Sequence, residues 1–139
     1  MDISWLNNLF MAAAITAVLF GAWKWLGGGS PPVDQAALAQ AISQGALLLD
    51  VRTPAEFAGG HVAGARNIPL HELPNKLRTL GSKKRPVLVY CRSGSRSGSA
   101  KRQLDRAGFH TVLDLGSKAR AERAMQDGRA NGLAAQAAR

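Results

Sequence analysis

Short apolar runs separated by stretches with helical periodicity constrain the fold of this chain more than any other feature. Two such runs extend from Ala46 to Val51 and from Pro86 to Tyr90. Apolar runs of this length without polar alternation are typical of strands that are covered on both faces. Such strands belong to parallel sheets, in which helices form right-handed crossovers between neighbouring strands. The sequence therefore predicts an α/β domain with a parallel sheet flanked by helices.

Capping and turn residues locate the other elements of this domain. Asp34 is placed to cap a first helix that ends at Gly45, and residues 53–56 have the form of a capping box with proline at the first helical position. Apolar spacing followed by glycine indicates two further helices, which stop at Gly81 and Gly108. Strands are predicted at 65–68, 87–90 and 111–115, and a last helix at 119–126 with a frayed tail beyond Gly128.

A single membrane-spanning helix is predicted before the α/β domain. The stretch from Ile3 to Trp23 contains no charged residue, and a helix of this length reaches about 30 Å, the thickness of the hydrocarbon core of a bilayer. Trp5 lies at one end, and Trp23, Lys24 and Trp25 lie at the other. Aromatic and cationic residues in these places are typical of anchors at the two membrane interfaces.

Two other interpretations of this segment fit less well. A cleaved secretory signal has a basic region before its apolar stretch, whereas only Asp2 is charged here. An amphipathic helix lying on the membrane needs a face rich in lysine and arginine, which the segment lacks. Positive charge favours the cytoplasmic side of a span, so Lys24 predicts a cytoplasmic domain, and the need to keep Cys91 reduced points the same way.

The predicted organisation of the chain has four parts. The membrane anchor occupies 1–26, with the apolar and aromatic residues 3–26 in contact with the membrane, and a flexible linker rich in glycine and proline occupies 27–32. The α/β domain occupies 33–126, and a basic, alanine-rich tail occupies 127–139. With 139 residues in total, the chain has room for one such domain.

Composition narrows the classes of partner and of site. The net charge of +9 favours an anionic partner, but charge alone leaves a small anion, an acidic protein, anionic lipid and nucleic acid open. No aromatic stacking surface supports nucleic-acid binding, which we therefore do not expect. The single cysteine rules out an intrachain disulfide, a Cys-x-x-Cys redox motif and a zinc-cysteine cluster. We expect neither a metal nor a cofactor.

The segment from Cys91 to Ser97 is the strongest chemical signal in the sequence. Cys91 follows the apolar run that ends at Tyr90 and precedes a helical pattern. A thiol at a helix N-terminus beside arginine has a lowered pKa and becomes a reactive thiolate. Glycine permits the turn, and small serines leave the backbone N–H groups free to point at the sulfur. The residues expected to surround an anion there are Arg92, Ser93, Gly94, Ser95, Arg96 and Ser97.

This segment resembles the active-site loop of rhodanese-type sulfurtransferases. The stretches from Leu49 to Phe57 and from Gly60 to Pro69 are similar to the family's strand signature and Gly-His motif, and the resemblance extends from Pro32 to Met125. It implies a rhodanese-like parallel sheet and a catalytic Cys91. The activity it implies is transfer of sulfane sulfur from a small anion such as thiosulfate, through a persulfide, to cyanide, a thiol or a protein thiol.

The resemblance also implies roles for the arginines of the loop. It places Arg92 at the mouth of the pocket, where the guanidinium would hold the sulfonate end of thiosulfate, while Arg96 closes the loop and keeps the cysteine ionised. In an alternative interpretation, one of these arginines pairs with Asp50 or Glu56 and only holds the loop. Asp50 and Arg52 are expected to form a buried supporting pair beneath the site.

Three further sequence features qualify this interpretation. Cysteine-dependent phosphatases have five residues between their cysteine and arginine, whereas Cys91 and Arg96 enclose four, which argues against phosphate chemistry. His61 is expected to be a turn residue bonded to the backbone rather than a base. The family's Gly-Gly turn and tryptophan-bearing helix are absent from 115–124, so packing there is expected to differ.

A non-catalytic module that binds or senses sulfur compounds at the membrane is the alternative function.

Overall fold

The computed structural model describes the backbone of residues 32–137 and the side chains of residues 32–131. The predicted membrane anchor and nearly all of the linker lie outside the described residues. Within the described part of the chain, no helix is both long enough and apolar enough to span a bilayer. The elements, in chain order, are α1 (Gln35–Ser43), β1 (Leu47–Asp50), α2 (Pro54–Ala58), β2 (Arg66–Asn67), α3 (Leu73–Lys76), a 3₁₀ turn (Leu77–Leu80), β3 (Val87–Cys91), α4 (Ser95–Arg106), β4 (Val112–Ser117) and α5 (Lys118–Ala137).

The four described strands form one parallel sheet in the order β2-β1-β3-β4. The two inner strands, β1 and β3, are buried along their whole length, as their uninterrupted apolar sequences predict. In register, Asp50 lies opposite Tyr90 and Cys91 lies opposite Ser117. The predicted parallel sheet flanked by helices is confirmed, and the carboxyl ends of its strands carry Asp50 and Cys91 to the same edge.

Helices cover both faces of the sheet and produce two apolar layers. Because side chains alternate along a strand, Leu47 and Leu49 point into the layer beneath α3 and α4, while Leu48 points into the layer beneath α1 and α5. Burial of a leucine side chain stabilises the fold by about 1.5–3 kcal/mol relative to exposure. Cys91 belongs to the first layer, and its neighbour Tyr90 belongs to the second.

The predicted caps and turns are present, although some element boundaries differ. The Asp34 side chain accepts a hydrogen bond from the N–H of Ala36 at 2.9 Å and so caps α1. The capping box of α2 is complete. β2 is shorter than predicted, with two residues, and β4 extends from Val112 to Ser117. The leucine-spaced helix is divided into α3 and a 3₁₀ turn.

The last helix is longer than the sequence predicts. The helical pattern indicated a helix over 119–126 and a frayed tail beyond Gly128, but α5 continues to Ala137. The physical reason is tertiary packing against α1, because Ala121 and Ala124 of α5 share a buried layer with Leu38. At Gly128 the two helices come so close that an added Cβ would stand 2.6 Å from Cδ1 of Ile42.

Candidate active site

The carboxyl end of β3 places Cys91 at the start of a tight loop. The cysteine is fully buried, and residues 92–94 lead from it directly into α4. Gly94 caps α4 with φ +104°, a backbone conformation that side chains other than glycine rarely adopt. The turn therefore depends on glycine at this position. It brings the first turn of α4, with its unsatisfied N–H groups and positive helix dipole, next to the sulfur.

Hydrogen-bond donors of the loop stabilise negative charge on this sulfur. The backbone N–H of Gly94 donates to Cys91 Sγ at 3.0 Å. Burial alone would raise the pKa of the Cys91 thiol. The N–H and hydroxyl of Ser97 and the N–H groups of Gly94 and Ser93 outweigh that effect and lower the pKa. Ser97 is itself fully buried. Besides the sulfur, its hydroxyl has two other acceptors within reach, the carbonyl oxygens of Gly94 at 3.0 Å and Gly116 at 3.5 Å.

Arg96 forms a two-point ion pair with Glu56. Its two terminal nitrogens lie 2.7 and 2.8 Å from the two carboxylate oxygens. The same carboxylate accepts hydrogen bonds from the Thr53 N–H at 3.0 Å and the Thr53 hydroxyl at 3.1 Å. The first of these, together with the bond that the Glu56 N–H donates to the Thr53 hydroxyl oxygen at 3.2 Å, forms the capping box of α2. Arg96 first, and Thr53 second, hold the pKa of Glu56 well below its usual range. This is the alternative in which a loop arginine pairs with Glu56.

Asp50 and Arg52 form the expected buried pair beneath the loop. Both residues are buried, and an Arg52 nitrogen lies 2.6 Å from a carboxylate oxygen of Asp50. Arg52 also donates to the carbonyl oxygen of Gly60 at 2.9 Å, and its guanidinium carbon lies 5.7 Å from the centre of the Tyr90 ring. The Asn67 amide donates to the carbonyl oxygens of both Asp50 and Arg52, at 3.0 and 2.9 Å. These bonds tie the loop that follows β1 to β2 and to the segment that precedes β2.

Comparison with known proteins identifies the family of a chain that carries a buried cysteine in such a loop. The profile described as the rhodanese-like domain matches residues 34–119, more than half of the chain. The chain belongs to the rhodanese-like domain family.

Several bacterial proteins are similar in sequence to this rhodanese-like chain. The uncharacterized protein YqhL of Bacillus subtilis is 44% identical over 70 residues, which cover 50% of this chain and 55% of the relative. A sulfurtransferase of Allochromatium vinosum is 39% identical over 85 residues, covering 60% of this chain and 78% of the relative. Thiosulfate sulfurtransferase PspE of Escherichia coli is 41% identical over 69 residues, covering 49% and 66%. The chain thus spans about half the length of YqhL and more of the other two.

Solved structures share the same fold. A structure described as a rhodanese with anions from E. coli superposes with a TM-score of 0.51 and 37% sequence identity. The superposition covers 53% of this chain and 88% of that one. This coverage and identity agree with the family assignment.

In this rhodanese-like domain, Arg92 differs from the other two arginines near the sulfur. Arg52 and Arg96 are each paired with a carboxylate. Arg92 is exposed, and among the residues that the structure describes it has neither a hydrogen bond nor an ion pair. Ser93 and Ser95 are also exposed, whereas Gly94 is buried. Arg92 is therefore the loop guanidinium without a carboxylate partner in the described part of the chain.

Other titratable groups of the rhodanese-like domain are not part of the loop. His61 Nδ1 lies 3.1 Å from the Phe57 carbonyl oxygen, and the two rings stack with centroids 3.7 Å apart, as expected for a turn residue. Burial and Asp50 raise the pKa of Tyr90 to about 12, and its hydroxyl accepts a hydrogen bond from the Val62 N–H at 3.0 Å. Among the described residues, no group of three or more metal-ligating side chains comes together.

Two supporting side chains were not singled out by the sequence. Asn67 was predicted only as part of a strand, and Tyr90 only as the end of the central apolar run. Both act through hydrogen bonds to residues distant in sequence, which local patterns do not reveal. Glu56 did carry a signal, because its place in the capping box already brought it to the start of α2.

Proposed function

We propose that this rhodanese-like domain transfers sulfane sulfur from a donor such as thiosulfate to cyanide or a thiol through a persulfide on Cys91. The observation that supports this most directly is a fully buried cysteine whose sulfur accepts a hydrogen bond from the Gly94 N–H at 3.0 Å, in a loop whose donors lower the pKa of the thiol. The similarity to a sulfurtransferase of Allochromatium vinosum and to thiosulfate sulfurtransferase PspE of Escherichia coli supports the same class of reaction.

The first half of the proposed reaction loads the cysteine with sulfur. The Cys91 thiolate attacks the outer sulfur of thiosulfate and forms a new S–S bond. The S–S bond of thiosulfate breaks, and its electron pair leaves with sulfite. Charge is conserved, because a thiolate and a dianion become a persulfide anion and the sulfite dianion. The step needs no oxidant, and because the loop donors lower the pKa of the Cys91 thiol and so favour the attacking thiolate, the proposal includes no general base.

The second half of the reaction returns the enzyme to its starting state. Cyanide or a thiolate attacks the outer sulfur of the persulfide, and the S–S bond electrons return to Cys91 Sγ. Negative charge stays on sulfur throughout both steps. The backbone N–H groups of Ser93, Gly94 and Ser97 therefore stabilise starting, intermediate and transition states that are all anionic, in a site shielded from water.

Arg92 is proposed to recruit the donor. It is exposed at the loop and has no carboxylate partner in the described part of the chain, so its donors are available to the sulfonate oxygens of thiosulfate. Arg96 has a different proposed role, because Glu56 already occupies both of its terminal nitrogens. It closes the loop and contributes a positive charge near the sulfur, with which it interacts electrostatically.

One experiment tests the activity. The full chain is incubated with thiosulfate, and its intact mass and the release of sulfite are followed, before and after addition of cyanide. We expect a mass increase of one sulfur atom that cyanide removes as thiocyanate, with neither signal in Cys91→Ser. Absence of the added sulfur in the wild type would rule out the proposed enzyme. Loading without discharge to any acceptor would favour the alternative, a module that binds or senses sulfur.

We further propose that residues 3–26 anchor the domain to a membrane with the catalytic site in the cytoplasm. The uncharged stretch from Ile3 to Trp23 and the flanking Trp25 and Lys24 support this proposal. The full chain should remain in the membrane fraction during an alkaline wash. A Cys91→Ser protein with the exposed His110 changed to Cys should react with a membrane-impermeant maleimide only after cells are permeabilised. Labelling in intact cells would show that the domain faces the opposite side of the membrane.

A further inference from the structure

Positive charge is distributed unevenly over the described domain. Between residues 73 and 104 the sequence contains nine lysines and arginines and no acidic residue. Three of these cations, Lys83, Lys84 and Arg85, follow one another and are all exposed. They come just before β3, so they lie at the amino edge of the sheet, opposite the edge that carries Cys91.

Hydrogen bonds hold the segment 78–85 against the starts of the other three described strands. Arg85 Nε donates to the carbonyl oxygen of Gly45, two residues before β1, at 2.8 Å. The first residue of β2 donates through its guanidinium to the carbonyl oxygen of Thr79 at 2.7 Å. The N–H of His110, which precedes β4, donates to a carbonyl oxygen of the segment at 3.0 Å. Because the segment itself leads into β3, it extends across the amino edge of the whole sheet.

The cations of this surface have no acidic partner in the part of the chain that the structure describes. The end of α4 adjoins the segment, because a Cβ added at Gly108 would stand 3.5 Å from Lys83 Nζ. Asp105, on that helix, is already paired with Lys101 at 2.8 Å. We define the basic edge by its six exposed cations, none of which forms an ion pair among the described residues: Arg66, Arg78, Lys83, Lys84, Arg85 and Arg106.

Acidic side chains lie toward the opposite edge. Asp50 and Glu56 are paired beneath and beside the sulfur-binding loop. Asp34 and Gly94 line one cavity, so the start of α1 also lies at the carboxyl edge. Asp127 lines a second cavity at the same helix start. The charge of the domain is therefore asymmetric, and the basic edge is its positive end.

The proposed membrane anchor favours a bilayer as the partner of this surface. The linker at 27–32 has six residues and reaches about 20 Å when extended. The domain would thus be held close to lipid head groups at high effective concentration. The linker joins α1 at the carboxyl edge, but the nine residues of α1 are only about 14 Å long. The linker is therefore long enough for the basic edge to reach the bilayer.

We propose that the basic edge docks on the anionic lipids of the membrane that holds the anchor, so that the edge with Cys91 faces away from the bilayer. The proposal rests on the membrane anchor proposed above. Lysine and arginine are attracted to an anionic leaflet when they lie within a Debye length of its surface. In this orientation the exposed Arg92 meets donors and acceptors that are dissolved in water.

Fluorescence quenching by the bilayer tests this orientation. The full chain with Cys91→Ser receives one fluorophore, at Ser82→Cys on the basic edge or at Ala55→Cys on α2, both of which are exposed sites. It is reconstituted in nanodiscs that contain a lipid with a nitroxide on its head group. In equimolar phosphatidylcholine and phosphatidylglycerol, quenching at Ser82→Cys should exceed that at Ala55→Cys by about twofold or more, and high salt should remove the difference. Phosphatidylcholine alone should not produce it.

A pair of charge variants shows whether the basic edge is responsible. Lys83→Gln combined with Lys84→Gln should lower the ratio of docked to undocked domain, measured from the fluorescence lifetimes, by about 30-fold. Arg92→Gln combined with Arg123→Gln removes the same charge from exposed positions outside the basic edge and should leave this ratio nearly unchanged. With Cys91 intact, the Lys83→Gln, Lys84→Gln protein should load sulfur at the wild-type rate, which shows that it is folded.

The outcomes separate this proposal from the proposed enzyme. Equal quenching at the two sites in anionic discs, or stronger quenching at Ala55→Cys, would overturn the docked orientation. An equal loss of docking in both charge variants would also overturn it, since net charge and not the basic edge would then be responsible. A chain that does not stay with the discs would overturn the anchor and the orientation together. Sulfur loading, measured separately, decides the enzyme in each case.

Discussion

The carboxylate of Glu56 accepts two hydrogen bonds, of 2.7 and 2.8 Å, from the guanidinium of Arg96, which lies forty residues later in the sequence. The same carboxylate completes the cap of α2 through Thr53. One side chain thus joins the start of a short helix to the loop that surrounds Cys91. Arg96 is thus engaged by this carboxylate, whereas Arg92 is exposed and has no carboxylate partner in the described part of the chain.

This ion pair makes the stability of the domain depend on pH. Because Arg96 and Thr53 lower the pKa of Glu56, the folded state keeps the carboxylate ionised where the unfolded chain binds a proton. The stabilisation is present above the ordinary value of 4.5 and is lost as the pH falls below it. Glu56→Gln should lower the free energy of unfolding by about 1 kcal/mol at neutral pH and by less in acid.

Urea unfolding on both sides of pH 4.5 measures this difference. Glu122→Gln is the matched control, because Glu122 forms a partly buried ion pair with Lys118, four residues away on the same helix. We expect the control to change the free energy of unfolding little at any pH. A Glu56→Gln effect that is the same in acid and at neutral pH would contradict the proposed titration.

The hydrogen bonds to Cys91 predict a reactive thiolate. Its pKa should lie below that of an ordinary cysteine, as measured by the ultraviolet absorbance of the thiolate across a pH series, with Cys91→Ser as the blank. Ser97→Ala removes the hydroxyl but keeps the backbone N–H, so the pKa should rise without returning to that of an unfolded chain. Sulfur loading at neutral pH should slow accordingly. An unchanged pKa in Ser97→Ala would show that the backbone N–H groups suffice.

Substitution by alanine is expected to have different effects on activity and stability at Arg92 and at Arg96. Arg92→Ala should reduce kcat/KM for thiosulfate by about 10- to 100-fold, because a charge-assisted contact to the donor is lost. Its free energy of unfolding should hardly change, since the side chain is exposed. Arg96→Ala should also destabilise the protein, because it leaves Glu56 without its partner.

Sulfite release and urea unfolding together distinguish these two cases. Arg106→Ala, at the other end of α4 and exposed, controls for the general loss of positive charge. If Arg106→Ala lowers kcat/KM as much as Arg92→Ala does, the effect of Arg92 is the long-range field of a basic protein and not donor binding.

Close packing at Gly128 predicts coupling between α5 and α1. Glycine within a helix is unfavourable by about 1 kcal/mol relative to alanine, but an added Cβ would stand 2.6 Å from Cδ1 of Ile42. Ile42→Val removes that methyl group. Gly128→Ala should therefore be more favourable by about 1 kcal/mol in the Ile42→Val protein than in the wild type. Urea unfolding of the four proteins measures the coupling, and equal effects in both backgrounds would show that the helices do not touch there.

Local sequence determined the parts of this protein that depend on near neighbours. The apolar runs at β1 and β3 predicted a parallel sheet because buried strands have no polar face, and capping residues such as Asp34 and Thr53 predicted where helices begin. The position of Cys91 between a strand and a helix also followed from the chain itself. The resemblance to rhodanese-type sulfurtransferases rested on the same local motifs, and the family assignment confirms it.

Tertiary structure decided whatever depends on residues distant in the chain. From the sequence, either Asp50 or Glu56 could form an ion pair with a loop arginine. In the folded chain Asp50 pairs with Arg52, and Glu56 pairs with Arg96. The extension of α5 past Gly128 required the surface of α1, which no pattern within α5 reveals. Hydrogen bonds and close contacts depend on distances of a few ångströms, and only the folded chain sets those distances.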